Sequence, residues 1–189
     1  MESALIVSCI ETHTTFLTDM LNAASVSQMT ILQSCGEARR LLLERRFDLV
    51  IMNAPLRDES GENLSRDIAS KGDSQVILVV KNEHFDAMSA ACEEDGVLTI
   101  AKPMNKAVFW AVLSLAKSAF SRIRHVQAEN VKLKQKIEDI RLVDRAKWIL
   151  VSHLSMSEKD AHKYMEKQAM DRRSTKRAIA EGILKAYEN

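Results

Sequence analysis

Short apolar runs alternate with amphipathic segments over the first 120 residues of the chain. Each run has the length of a buried strand, and the segments between the runs repeat apolar residues at helical spacing. This alternation predicts five strands that are separated by helices. The predicted strands are Ala4–Val7, Thr30–Gln33, Leu49–Met52, Val76–Val80 and Leu98–Ile100.

A regular alternation of strands and helices favours a parallel sheet. Parallel strands require crossover connections, and both faces of such a sheet are covered by helices. We therefore predict an α/β domain of the flavodoxin-like type, with a parallel five-stranded sheet in the order 2-1-3-4-5.

A different pattern begins at Phe109, where apolar positions recur at alternating steps of three and four residues. Such a repeat predicts a long helix that continues as a coiled coil towards Ala146. Asn130 falls at an a position, where a buried amide commonly fixes the register of a parallel two-stranded coil, so we predict a homodimer. The alternative is an amphipathic helix that packs on its own domain, but such a helix seldom keeps a period of about 3.5 residues for so long. The repeat comprises Phe109, Val112, Ala116, Ala119, Ile123, Val126, Asn130, Leu133, Ile137 and Ile140. The predicted seam of the dimer is its later part, from Ile123 to Ile140.

The segment from Ala146 to Leu184 predicts three short helices with basic residues at their joints. Ser157 gives the second helix a capping-box-like start, and this helix should end near Asp171. Ser174 or Thr175 can cap the last helix. The predicted apolar faces are Ala161, Met165 and Ala169 in the second helix and Ile179, Ile183 and Ala186 in the last one.

The formal net charge of +1 conceals an acidic first part and a basic second part. Residues 121–189 contain 16 Lys and Arg against 10 Asp and Glu, a net +6, whereas residues 1–120 contain 11 against 16, a net −5. A basic segment favours a polyanionic partner, although a lysine-rich helix surface is more often only solvated. Charge alone therefore does not establish nucleic acid binding.

Cysteine and histidine usage gives no indication of a disulfide or a metal site. Cys9, Cys35 and Cys92 have no paired spacing, and the histidines have no spacing typical of metal ligands. The first residues lack the basic flank and long apolar run of a signal peptide, and no stretch approaches the ~20 apolar residues of a membrane span. We expect a cytoplasmic protein without metal, cofactor or membrane contact.

Four short motifs follow one another in the basic part of the chain. They are Ala146-Lys147-x-Ile149-Leu150, Ser157-Glu158-x-x-Ala161, Gln168-Ala169-Met170-Asp171 with Arg172 and Arg173, and Ile179-Ala180-Glu181. In this order they resemble the ANTAR module, the RNA-binding domain of transcription antiterminators. Trp148 stands where that family usually has a small residue and His162 where it usually has Tyr, but neither change removes a basic group.

Three motifs in the first part carry a second resemblance. They are Phe47-Asp48-Leu49-Val50-Ile51-Met52-Asn53, then Gly61, then Ala101-Lys102-Pro103. They are similar to the receiver domain of two-component response regulators, and the resemblance covers about residues 1–120. It also implies a cis peptide bond before Pro103.

The resemblance implies a receiver that has lost its chemistry. Ser8 and Cys9 occupy the positions of the acidic pair that binds Mg²⁺, Asn53 that of the phosphoacceptor, Val80 that of the hydroxyl sensor and Thr99 that of the aromatic switch, while Lys102 is retained. An amide cannot form an acyl phosphate, Mg²⁺ prefers carboxylate oxygens, and Glu11 alone cannot rebuild the site. We expect a pseudo-receiver in which Lys102 either is a relic that pairs with the Asn53 oxygen or a nearby carboxylate, or anchors a pocket for an unknown anion. The relic is the favoured reading.

Together these resemblances imply a non-enzymatic antiterminator. We expect a dimer that binds paired hairpins in a leader mRNA and prevents terminator formation. Its control should not involve phosphorylation and should come from a partner protein, a ligand or its abundance. The expected division is a pseudo-receiver at 1–120, a coiled-coil linker at 121–144 and an ANTAR module at 145–189. The residues selected for RNA contact are Lys147, Arg172, Arg173, Lys176 and Arg177, each of which has an alternative role as a solvated charge at a helix end.

Two other classes of protein remain as alternatives. One is an interaction scaffold that docks a sensor or another partner protein through the pseudo-receiver, with an incidental basic end. The other is a DNA-binding response regulator, but the chain has no helix-turn-helix signature that contains Gly.

Overall fold

The computed structural model describes residues 1–187, which form two compact units. The first unit is Met1–His125 and the second begins at Val126. The strands are β1 (Ser3–Val7), β2 (Gln28–Leu32), β3 (Leu49–Asn53), β4 (Gln75–Lys81) and β5 (Leu98–Lys102). The α-helices are α1 (Glu11–Ala23), α2 (Cys35–Glu44), α3 (Glu62–Ala69), α4 (Phe85–Glu93), α5 (Lys106–Leu154), α6 (Glu158–Asp171) and α7 (Lys176–Tyr187), and a 3-10 turn lies at Asn82–His84.

The five strands form one parallel sheet in the order β2-β1-β3-β4-β5, which confirms the predicted fold. Every residue of β3 is buried, because this strand lies at the centre of the sheet and helices cover both of its faces. Parallel strands of one sheet end at the same edge. The carboxyl ends of β1, β3, β4 and β5 therefore place the residues that follow them close together.

Two apolar cores cover the two faces of the sheet. On one face α2, α3 and α4 pack their buried residues, such as Ala38, Ile68 and Cys92, against alternate residues of the strands. On the other face α1 and the start of α5 do the same, and the rings of Phe16 and Phe109 meet edge to face at 6.1 Å between centroids. Burial of this apolar surface is the main contribution to stability.

The first turns of α5 belong to the core of the first unit. Phe109 and Ala116, the first and third positions of the repeat, are fully buried against its sheet. This part of the helix is therefore the last helix of the first unit, before the predicted seam begins. Further along, the apolar seam residues from Ile123 to Ile140 are exposed.

The end of α5, together with α6 and α7, forms the three-helix core of the second unit. The first of the three short helices predicted here is thus the last part of α5 and not a separate element. Ser157 caps α6, since its hydroxyl accepts a hydrogen bond from the Asp160 amide at 3.1 Å. Thr175 precedes α7 and accepts from the Ala178 amide at 3.2 Å. The core consists of Ala146, Ile149, Leu150, Ala161, Met165, Ala169, Ile179, Ala180 and Leu184.

The inward face of α7 differs from the prediction at one position. Ile179 is buried and Ile183 is half-buried as expected, but Ala186 is exposed. Ala180 and Leu184 are buried instead, so the apolar stripe is shifted by one residue towards Leu184. Ala186 consequently falls at the edge of the stripe in the last turn.

Within residues 1–187, every helix falls short of the combined length and apolarity that crossing a membrane requires.

The three thiols differ in accessibility. Cys35 and Cys92 are buried, and burial raises the pKa of both, that of Cys35 to about 12. Cys9 lies in the loop after β1 and is partly accessible.

Candidate functional sites

Asn53 ends β3 and is the centre of a polar cluster at the carboxyl edge of the sheet. Its side chain is buried, with 1% of its surface exposed. Its Nδ2 donates to the Ser8 hydroxyl at 2.9 Å and lies 3.1 Å from His13 Nδ1. The thiol of Cys9, beside Ser8, donates to the Pro55 carbonyl at 3.5 Å. None of these groups is a carboxylate.

His13 was not predicted from the sequence as a site residue. It lies in the first turn of α1, which follows β1 by only a short loop. The contact with Asn53 spans 40 residues of sequence, and no local pattern marks it. The one usable signal was position, because the start of a helix after a parallel strand lies at the sheet edge where sites form.

Lys102 ends β5 and reaches the same edge. Its ammonium donates to the backbone carbonyl of Ala54, and burial lowers the pKa of Lys102. The expected pairing with the Asn53 oxygen or a carboxylate is not found among the described residues. The ammonium binds the carbonyl next to Asn53 instead, because that carbonyl lies where β3 leaves the sheet.

Val80 and Thr99 occupy the positions at which receivers have the hydroxyl sensor and the aromatic switch. Val80 is buried in β4, and the Thr99 hydroxyl in β5 is buried with no hydrogen-bond partner among residues 1–187. The peptide bond before Pro103 is cis, as the resemblance to receivers implied.

An open cavity of about 530 Å³ lies at this edge of the sheet. Its polar lining comprises His13, Asn53, Lys81, Asn82 and Lys102. Its apolar lining comprises Phe16, Val79, Pro103 and Met104. No carboxylate belongs to this lining, and no cluster of His, Cys, Asp and Glu suited to a metal ion occurs among the described residues.

Three of the five basic residues selected in the second unit form internal ion pairs. Lys147 Nζ lies 2.8 Å from an Asp144 oxygen and 3.2 Å from a Glu158 oxygen, and these carboxylates raise the pKa of Lys147. Lys176 pairs with Glu166 at 2.6 Å.

Arg177 also has two carboxylate partners. It contacts Asp139 at 2.6 Å and Glu181 at 2.8 Å. Both partners raise the pKa of Arg177, as expected for a guanidinium between carboxylates.

Arg172 and Arg173 differ from the other three. They lie exposed in the turn between α6 and α7, and neither forms an ion pair within residues 1–187. Arg173 adopts the left-handed conformation, with φ of 48°, and its amide donates to the Met170 carbonyl at 3.1 Å. The turn thus presents two adjacent guanidinium groups to solvent.

The predicted seam residues from Ile123 onward are exposed along α5. Ile123, Val126, Leu133, Ile137 and Ile140 all expose 40% or more of their surface, and Asn130 lies among them.

Comparison with known proteins identifies the second unit first. A family model described as the ANTAR domain matches residues 131–184. The chain is also similar to the transcriptional regulatory protein PdtaR of Mycobacterium tuberculosis, strains CDC 1551 and H37Rv. The identity is 30% over 148 residues, which cover 78% of this chain and 72% of PdtaR. The chain belongs to the ANTAR-domain transcriptional regulators. This family is non-enzymatic, in agreement with the prediction.

The fold of the first unit of this ANTAR regulator is shared with solved receiver domains. One is the signal receiver domain of an HD domain-containing protein from Pseudomonas fluorescens Pf-5, with a TM-score of 0.56 and 21% identity over 65% of this chain and 91% of that one. Another is the beryllofluoride-activated NtrC4 receiver domain dimer, with a TM-score of 0.55 and 22% identity over 65% of this chain and 99% of that one. At this identity the likeness establishes the fold, so the regulator combines a unit with the receiver fold and an ANTAR domain.

Proposed function

We propose that this regulator is an RNA-binding antiterminator. It acts as a homodimer that binds paired hairpins in a leader mRNA and prevents formation of the terminator. The observation that carries the proposal is the pair of exposed arginines without carboxylate partners in the α6–α7 turn of a matched ANTAR domain. The proposal divides the chain at 1–120, 121–144 and 145–189, of which residues 188 and 189 lie outside the described part.

Arg172 and Arg173 form the centre of the proposed RNA surface. A guanidinium can donate two hydrogen bonds to one phosphate, and the bond is strengthened by charge. Because no carboxylate of the described residues competes for these groups, RNA binding here breaks no ion pair. Adjacent positions in a turn also allow the two groups to reach neighbouring phosphates.

Lys147, Lys176 and Arg177 have a secondary place in the proposal. An exposed ion pair contributes only about 0–1 kcal/mol, so RNA can displace it at small cost. The carboxylates remain nearby, however, and repel phosphate. These three residues are therefore expected to contribute less to affinity than the two arginines.

Sequence recognition is assigned to the loops of the hairpins. The deep major groove of A-form RNA is closed to side chains, whereas loop bases can be splayed out and stacked on aromatic rings. Trp148 exposes 71% of its surface on the second unit and is a candidate for such stacking.

Control without phosphorylation is part of the proposal. The supporting observations are Ser8, Cys9 and Asn53, none of them a carboxylate, at the sheet edge and the buried Val80 in β4. Without carboxylates the site lacks both the Mg²⁺ ligands and the acceptor that a phosphoryl group needs. A regulatory partner protein or a ligand must then supply the signal, unless abundance alone controls the protein.

The test begins with RNA that is crosslinked to the protein in its native cell and sequenced. The affinity of the full chain for a recovered two-hairpin RNA is then measured against salt concentration for the wild type, Arg172→Gln, Arg173→Gln and Lys147→Ala. Each arginine variant should lose roughly 1–2 kcal/mol per module and should show a shallower dependence on salt, because fewer counterions are released. Lys147→Ala should lose less.

Lys132→Gln is the matched control, since it removes an exposed cation of α5 that lies outside the three-helix core. Circular dichroism establishes that every variant keeps its helices. Arginine variants that bind as tightly as the wild type at every salt concentration would show that the RNA surface lies elsewhere. A wild type that retains no leader RNA would contradict the function itself.

A further inference from the structure

The cavity at the carboxyl edge of the first unit's sheet has an unusual charge balance. The cations Lys81 and Lys102 line it, together with the imidazole of His13 and the amides of Asn53 and Asn82. No carboxylate belongs to the lining. A site that binds a divalent cation needs carboxylate oxygens, and this lining has none. The cavity is therefore suited to ligands of the opposite charge.

Lys102 is the group in the cavity that most favours an anionic ligand. Its ammonium is half-buried and donates one hydrogen bond within the described residues, to the Ala54 carbonyl, whereas an ammonium has three N–H donors. No carboxylate of the described residues pairs with it, so its removal from water is compensated only in part. An anion in the cavity would supply the missing compensation.

Lys81 lies at the exposed rim and adds to the positive charge. It pairs weakly with Glu83, at 3.4 Å, and Glu83 is outside the cavity lining. Exposed pairs of this kind are readily exchanged for another anion. Asn82, next in sequence, is also exposed and can donate from its side-chain amide.

The apolar lining and the volume of the cavity indicate what the uncharged part of the ligand is. Phe16, Val79, Pro103 and Met104 form an apolar wall. The volume of about 530 Å³ lies within the range of roughly 300–1,000 Å³ found for small-molecule sites and is far larger than an inorganic ion needs. Inorganic phosphate alone would leave this apolar wall exposed to water.

We propose that this cavity binds a small organic anion, with its carboxylate or phosphate on Lys102 and Lys81 and a compact apolar body against Phe16 and Met104. The cavity thereby gives the regulator a ligand-sensing site in the place where receivers carry phosphorylation chemistry. This inference goes beyond the proposed RNA function and does not depend on it.

The experiment titrates the full chain by calorimetry with benzoate, phenyl phosphate, inorganic phosphate and benzamide, the last as the neutral match of benzoate. Methyl NMR of Met104 and Val79 locates the site. Benzoate or phenyl phosphate should bind saturably at one site per chain and shift these methyl signals, and benzamide should bind at least about tenfold more weakly, since the ion pair is missing.

Variants distinguish a built site from general attraction. Lys102→Met should lower the affinity for the organic anion at least about tenfold, and Lys81→Gln should lower it by less, because Lys81 is more exposed. Lys71→Gln, an exposed cation of the same unit outside the cavity, should leave it unchanged. Thermal unfolding shows whether Lys102→Met remains folded, and Lys81→Gln with Asn82→Ala provides a second test at the rim.

Three results would overturn the inference. One is equal affinity for benzoate and benzamide. Another is the absence of saturable binding by all charged probes in the millimolar range. The third is binding of inorganic phosphate without either organic anion, which would exclude the apolar part of the site.

Discussion

At the scale of single residues, a basic side chain is not always free to bind a ligand, because carboxylates of its own unit can already pair with it. The second part of the chain has a net charge of +6, yet Lys147, Lys176 and Arg177 are held by carboxylates of their own unit. Arg172 and Arg173 have no such partners among the described residues. The composition predicted a polyanionic partner, but only the contacts distinguish the arginines from the paired cations.

Trp148 provides a prediction that separates stacking from charge. The groove beside it is lined by Asp144, Lys147, Val151 and Glu158, so its carboxylates disfavour phosphate while its indole face suits a base. Trp148→Ala should cost about 1–3 kcal/mol of affinity for the recovered RNA and leave the salt dependence unchanged. Trp148→Phe should retain most of the affinity. The measurement is the same salt titration.

Val131→Ala is the control for this prediction, because Val131 is an apolar residue of the same unit with similar exposure, 67%, and lies in α5 away from the α6–α7 turn. Its RNA affinity should match that of the wild type. A Trp148→Ala variant with unchanged affinity would exclude stacking at this position.

Asp58 provides a prediction about stability and pH. Its carboxylate accepts hydrogen bonds from the amides of Gly36 at 2.8 Å and Cys35 at 3.0 Å at the start of α2, and these bonds lower the pKa of Asp58. A lowered folded pKa stabilises the protein above the unfolded pKa, and this contribution is lost as pH falls through the folded value. Asp58→Asn should therefore lower the unfolding temperature at pH 7.

The difference between Asp58→Asn and the wild type should shrink as pH falls below the ordinary aspartate value of 3.8. Thermal unfolding followed by circular dichroism across this range provides the measurement. Asp19→Asn, at an exposed carboxylate of α1, should behave like the wild type throughout. A constant difference between Asp58→Asn and the wild type at all pH values would show that charge has no part in the effect.

At the scale of elements, α5 serves two purposes along its length. Its first turns complete one face of the first unit's core through Phe109, Leu113 and Ala116. Its middle part presents an apolar stripe around Asn130 with no cover among the described residues. An apolar stripe of this period is typical of a coiled-coil seam, which supports the proposed dimer.

The dimer prediction rests on Asn130 and Ile137. Asn130→Leu should raise thermal stability and loosen the choice of oligomer, because a lone seam amide fixes the register at a cost in stability. Ile137→Asp should give monomers, because it places an unpaired charge in the seam. Light scattering at micromolar concentration measures both outcomes.

Val131→Asp is the matched control, since Val131 is 67% exposed on the same helix but lies outside the seam. This variant should remain a dimer. A wild type that is monomeric at micromolar concentration would refute the coiled coil.

Elements were predicted from the sequence more completely than sites. The five strands and their order followed from apolar runs such as Leu49–Met52, because a strand buried on both faces has a local signature. The contact of His13 with Asn53 and that of Arg177 with Asp139 join residues about 40 positions apart, and only the folded chain brings them together. The heptad pattern alone does not state where α5 leaves the first unit, because Phe109 and Ile137 follow the same repeat although only Phe109 is buried.

At the scale of the whole molecule, one chain combines an acidic receiver unit with a basic ANTAR unit. We predict that phosphorylation of the first unit does not control RNA binding by the second unit. Incubation of the full chain with acetyl phosphate and Mg²⁺, or with beryllofluoride, should change neither its mass nor its RNA affinity. Asn53→Asp alone should not restore the reaction, because Ser8 and Cys9 still provide no carboxylate for the metal.

Intact mass spectrometry gives the readout for this prediction. A receiver domain with its acidic residues, treated in parallel, is the positive control. Stoichiometric acid-labile phosphate on this protein would refute control without phosphorylation.

The burial of Cys35 and Cys92 leaves Cys9 as the accessible thiol of the chain. Cys9 lies beside Ser8 at the sheet edge, where its thiol donates to the Pro55 carbonyl. A maleimide dye added to the native protein would therefore attach at this edge without any engineered cysteine. The labelled protein would provide a fluorescence signal that can be compared with and without the organic anion.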